Sequence, residues 1–252
     1  MTVGALGPVI ALDSLTADQL GDPRAYHNAR YLLAAAAADP IPATATLGNL
    51  TSSFVERALA EMRWPAATAE VVRFVNRTLD EPDVPLLRSL REALQSGRML
   101  RRYRGAFHTT TRGRALLAPS HEGELYLAIF EAYFARPEPA LAEGHPVGSR
   151  VRRSVPQLLW LLLQTAGDAV TVGDLVAGMA ADPVASPEKR DDRDLKELNG
   201  ALRQTILDPL EELGLIETTP ATYGCPWRDE LLCEIRVTPL FERFVIAAAS
   251  LN

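Results

Sequence analysis

Gly97–Leu117 reads GRMLRRYRGAFHTTTRGRALL and holds six arginines: Arg98, Arg101, Arg102, Arg104, Arg112 and Arg114. Guanidinium groups at this density suit one chemistry above others. Their planar forks bind phosphate or carboxylate oxygens through charge-assisted hydrogen bonds. Arg88, Arg91 and Gln95 precede them at helical spacing, on the side opposite Leu87, Leu90 and Leu94. Arginine and glutamine are the side chains that match guanine and adenine edges. From Pro85 to Ser120 eight arginines face a single acid, Glu92, a local charge of +7 in a chain whose net charge is −6. These nine residues are the DNA-binding candidates. The competing reading is a solvated ribbon whose arginines pair with surface carboxylates or with an acidic protein.

Other chemistries fail on inventory. Neither GxGxxG nor GxxxxGK[ST] is present, so no phosphate loop is expected. HExxH and GxSxG are missing too. His108 beside Thr109–Thr111 suggests a base and a nucleophile, but a histidine alternating on a ribbon reads as a surface residue. Cys225 and Cys233 are the two cysteines, and His27, His108, His121 and His145 are scattered, so no metal set forms around them. The expectation is a protein without catalytic residues, metal or cofactor. Sparse cysteine suits a reducing cytoplasm. The greasiest later run, Val155–Gly167, is too short for a bilayer, which needs about 20 residues. The acidic pI of 5.3 opposes generic polyanion binding and leaves a local patch as the only basic surface.

The elements that would position the arginines follow from periodicity and punctuation. Pro23–Asp39 predicts a helix ended by Pro40. Ala43–Leu47, ATATL, alternates like a short strand before a Gly48-Asn49 turn. Thr51–Met62 and Thr68–Leu79 predict helices, the second with Val71, Val72, Val75 and Leu79 inside. A further helix runs to Ser96 and is stopped by Gly97. Two β-like runs around Gly105 make a ribbon, then come a turn at Arg112–Leu117 and a helix at Glu122–Phe134. Ala135–Gly148 is rich in proline and glycine and reads as a linker. Beyond it the order recurs. Ser154–Gln157 looks like a capping box for an apolar helix with Trp160 in its core. AVT is a short strand, Thr171 caps Val172–Ala181, and Arg193–Leu207 is helical, with a kink or restart at Asp208-Pro209. LIETT and LLCEIRV are strands, and a last helix runs from Thr238 to about Ala249.

The segment from about Ala43 to Pro137 resembles the plasmid open-reading-frame-three-like bacterial proteins. The resemblance runs through ATATLGNLTSSFVERAL, LREALQSGRMLRRYRGAFHTTTRGRALLA and GELYLAIFEAYF. Ala45 stands where that family has leucine, and Arg98 replaces a leucine after the glycine. It implies a group linked to mobile elements, and it implies neither an activity nor a cofactor.

The expected architecture is mainly α with small β-ribbons, as two tandem winged-helix modules. An arm (1–22) precedes the first module (23–137), a linker (138–150) and the second module (151–252). The first module is expected to bind double-stranded DNA through its third helix and wing. In the second, Ser186–Glu217 holds five basic and nine acidic residues, a net −4, which opposes a phosphate backbone. Its loop residues Tyr223 and Trp227 are candidate protein-interaction anchors. The alternative function is a protein-binding adaptor with no DNA contact. No membrane partner is expected.

Overall fold

The computed structural model describes residues 10–12, 15–65, 68–134, 146–165, 168–180, 192–219 and 231–247. The protein is mainly helical, with small antiparallel sheets. It divides into two compact units, residues 15–136 and residues 137–252 joined by residues 1–14.

The first unit opens with α1 (Ala17–Leu20), closed by a reciprocal capping box between Thr16 and Gln19. Leu15 and Leu20 are buried, whereas Thr16, Asp18 and Gln19 between them are exposed. Gly123 permits the approach of Leu15. A Cβ there would overlap the Leu15 carbonyl oxygen. α2 (Arg24–Ala38) buries Ala25, Tyr26, Ala29, Leu32, Leu33 and Ala36. Its buried Asn28 clamps the backbone of Arg63, donating through Nδ2 to the carbonyl at 2.7 Å and accepting the N–H at 2.8 Å.

The short strand is displaced from its expected place. β2 is Ile41–Pro42, and residues 45–47 form a turn with Leu47 exposed. Thr44 accounts for the difference. Its carbonyl and hydroxyl accept from Gly48 and Asn49, a side-chain-stabilised turn that competes with extended structure. α3 (Ser52–Glu61) buries Phe54, Val55, Ala58 and Leu59. α4 (Thr68–Val75) is shorter than its apolar spacing predicts and buries no residue; Phe74 is 92 % exposed and Val75 70 %. A 3-10 turn at Glu81–Asp83 leads into α5 (Pro85–Ser96), β3 (Leu100–Tyr103), β4 (Ala106–Thr109), α6 (Thr111–Leu116) and α7 (Glu122–Phe134). Leu87, Leu90, Leu94, Met99, Phe107 and Tyr126 join the α2 stripe in one core. The sheet order is β2-β4-β3, antiparallel throughout.

In the second unit α8 (Pro146–Arg153) starts inside the stretch expected as linker. α9 (Val155–Gln164) follows directly. Ser154 has helical φ and ψ and makes no capping bond through its side chain, because the chain is already helical there. Leu158, Leu159 and Leu162 are buried, but Trp160 is 41 % exposed. An apolar run this dense has residues left over for the solvent side, and Trp160 occupies that side, contrary to expectation. β5 (Val170–Thr171) leads into α10 (Val172–Ala180), where hydrogen bonds from Thr171 hold the Asp174 carboxyl below its ordinary pKa. α11 (Asp192–Leu202) widens into a π-turn at Arg203–Leu207 before α12 (Asp208–Glu212). Pro209 lacks the N–H that a regular helix would donate back four residues, which fits the widening. β6 (Ile216–Thr218) and β7 (Glu234–Val237) complete a sheet of order β5-β7-β6. α13 (Pro239–Phe244) ends earlier than expected, at β-branched Val245, and β8 (Val245–Ala247) pairs antiparallel with β1 (Ile10–Leu12). Tyr223, Trp227 and the loop 181–191 lie outside the described residues.

Both units place the first strand against the third and the third against the second. They also share one joint. Met99 N–H donates to the Leu94 carbonyl and Leu215 N–H to that of Leu210, both at 2.9 Å. Thr110 Oγ1 donates to the Arg98 carbonyl and Thr238 Oγ1 to that of Gly214, both at 2.7 Å. Each threonine then caps the following helix. The left-handed residue of the joint is Gly214 (φ 68°) in one unit and Arg98 (φ 56°) in the other.

Candidate nucleic-acid interface

The nine candidates fall into two groups. α5 lies against α2, α7 and β3, and every residue from Leu86 to Gln95 is buried or half-buried. Arg91 is 8 % exposed at its side chain. Its Nε donates to Glu81 Oε1 at 2.5 Å, and Glu81 itself is fully buried. Glu81 Oε2 accepts the Leu50 N–H at 2.8 Å. The Arg91 guanidinium also lies 5.3 Å from the Phe107 ring centre and donates through Nη1 to Gln95 Oε1. Arg88 pairs with Glu92 one turn on, at 2.9 Å. Arg91 is therefore no reader of base edges. Its charge is neutralised by Glu81 inside the fold, and Gln95 and Arg88 are held by neighbours on α5. Sequence reasoning placed Arg91 correctly on the polar side of the helix. It had no signal that Glu81, ten residues earlier, folds over that side.

The ribbon arginines are placed differently. Arg98, Arg101, Arg102, Arg104, Arg112 and Arg114 are exposed, and among the described residues none makes an ion pair. Register sorts them. Arg101 is opposite His108 and Tyr103 opposite Ala106, which puts Arg101, Tyr103 and His108 on one face. Arg102, opposite buried Phe107, points the other way. Its guanidinium lies over Gly48, whose φ of 67° is what the glycine in LGNL provides for. Arg104 and Gly105 have φ of 50° and 74° and form the two-residue turn at the tip. At the base, Arg112 Nη1 donates to the Gly97 carbonyl at 3.0 Å, one residue from Arg98. Tyr103 is 49 % exposed. The Arg101 and Arg104 guanidiniums are 5.5 and 5.1 Å from its ring centre, and the His108 ring meets it edge-on at 6.1 Å.

A second concavity, missed by the sequence reading, is a groove of 630 Å³ between α2, β2 and α3. Ala34, Ala35 and Ala38 line it, their small side chains leaving the space. At its edge lies Tyr31, whose hydroxyl pKa is raised by burial and then by the nearby Glu61. No group of three or more potential metal ligands occurs among the described residues, and no helix among them is long and apolar enough to cross a membrane.

Residues 25–123, from the start of α2 to the start of α7, match the family model described as the Y4jL N-terminal domain. The matched segment falls within the first unit and contains all nine DNA-binding candidates. Neither the curated proteins nor the solved structures contain a match to the chain.

Proposed function

We propose that the protein is a non-enzymatic DNA-associated binding protein, regulator-like, with two winged-helix modules, of which the first contacts DNA through its β-ribbon. One observation carries the reading: six exposed arginines crowd the ribbon and the turns flanking it with no carboxylate partner among the described residues. Exposed guanidiniums held close together make a local positive patch, and phosphate contacts are where such groups gain most. The winged-helix reading is supported by the shared strand order of the two sheets and by the repeated threonine joint. The α5 geometry moves the contact away from base reading by a helix and toward sequence-tolerant phosphate binding.

The test is a titration of the full chain against pooled mixed-sequence DNA over a range of salt. Binding should weaken with salt, and alanine at Arg101, Arg104 or Arg112 should lower the salt slope by about one contact each. Arg88→Ala and Gln95→Ala should leave affinity and slope unchanged. No binding at about 50 mM salt, where phosphate contacts are least screened, removes the proposal.

The second reading, a protein-binding adaptor, draws on the apolar face of α4, where Phe74 and Val75 stand in solvent. Phe74→Glu would leave stability intact and abolish capture of a protein partner while sparing DNA binding.

A further inference from the structure

The ribbon carries an aromatic that phosphate binding does not need. Tyr103 is a large exposed ring on a strand whose other outward residue is arginine, and the apolar core lies on the opposite face of the same strand. A tyrosine with half its surface in water, two guanidiniums at its ring and a histidine at its edge is not a packing residue. It is the combination met where proteins hold bases out of a helix, a flat π-face for stacking beside cations for the flanking phosphates. The helix that would enter a major groove is meanwhile embedded in the core, with Arg91 bound to Glu81. So among the described residues of the first unit the third helix presents no open base-reading face, whereas the ribbon presents an exposed ring flanked by cations.

We infer that the preferred form of nucleic acid is an unpaired strand, with Tyr103 stacking on a base and Arg101 and Arg104 taking the phosphates on either side. The inference rests on the proposed DNA-binding role and sharpens it. The backbone adds a second argument. Arg98 and Arg104 are held at φ of 56° and 50°, conformations that disfavour any side chain, and the matching joint in the other unit uses Gly214. Arginine is kept at two positions where glycine would sit without strain, both beside the strand that carries Tyr103.

The experiment uses the full chain and two fluorescent probes at about 50 mM salt: an oligothymidine of about 20 nucleotides, longer than the ~4–16 nucleotides a small strand-binding domain covers, and a mixed-sequence duplex of the same length. The strand should bind more tightly than the duplex. Tyr103→Ala should weaken strand binding by roughly 5- to 100-fold, the loss of one stacked base, without altering the salt slope. Tyr103→Phe should bind like the parent, since the ring and not the hydroxyl is used. Arg101→Ala should lower the slope. Irradiation of a strand carrying a halogenated uracil should attach it to Tyr103. Unchanged strand binding by Tyr103→Ala overturns the inference. Duplex binding tighter than strand binding, with the arginine effects intact, also overturns it and leaves the phosphate-binding role standing. No binding to either probe overturns both.

Discussion

Glu81 and Arg91 show how little one side chain's position on a helical wheel says about its use. The pair joins the Leu50 backbone to α5 in a place with no solvent. Two buried charges are tolerable only together, so removing one strands the other. Glu81→Ala should destabilise the first unit by about 3–5 kcal/mol, whereas a Glu81→Leu, Arg91→Met double variant should cost much less. Denaturant unfolding of the three proteins checks this, and equal losses in single and double variants would refute the pairing argument. Arg98 makes the opposite case, a costly backbone kept for an exposed group. Arg98→Gly should raise stability by about 0.5–1 kcal/mol and weaken DNA binding, while Gly214→Ala should lower stability by about 1 kcal/mol. The spacing of the arginines was legible from the chain alone. Their division into structural and exposed groups was not, because it depends on Glu81, Gly48 and Phe107, which only folding brings near.

At the scale of elements, helices with a clear apolar stripe and a stop signal stand where the periodicity puts them: α2 before Pro40, α5 before Gly97, α7 over Glu122–Phe134. The ribbon was legible for the same reason, since the glycine between its two β-like runs signals a turn, whereas the left-handed residue after α5 is Arg98 and carried no such signal. The misreadings share a cause. ATATL alternates but forms a turn because Thr44 offers its own bonds, and the valines of α4 suggest a core that no neighbour supplies. Trp160 was expected inside because its neighbours are leucines, yet a helix has two sides. Trp160→Ala should cost about 1–2 kcal/mol, for the part of the ring that is covered, whereas Leu162→Ala on the same helix should cost more, about 2–5 kcal/mol. Thermal melts of the pair measure which side of α9 is packed.

Across the whole molecule the units are not consecutive stretches of chain. The second includes residues 1–14, because β1 pairs with β8. No alternation or charge pattern in the first residues announces a partner more than 200 positions away, so the arm could be read as an arm and no further. Deleting residues 1–14 should destabilise the second unit and leave the first untouched. Hydrogen exchange would report it, with faster exchange at Val245–Ala247 and none of the change at Leu100–Thr109. Equal effects on both would show that the ends of the chain do not form a local sheet.

The β1–β8 pairing also sets an order of events during synthesis. Ile10–Leu12 is translated more than 200 residues ahead of its partner Val245–Ala247. At bacterial and eukaryotic elongation rates of about 5–20 residues per second, β1 waits on the order of 10–50 s with its hydrogen bonds unmade. The segment 15–136 can fold during that interval, between two strands that have yet to meet. The edge of β1 therefore stays open until β8 has been made, and the second unit closes its terminal sheet only after the first has had time to fold.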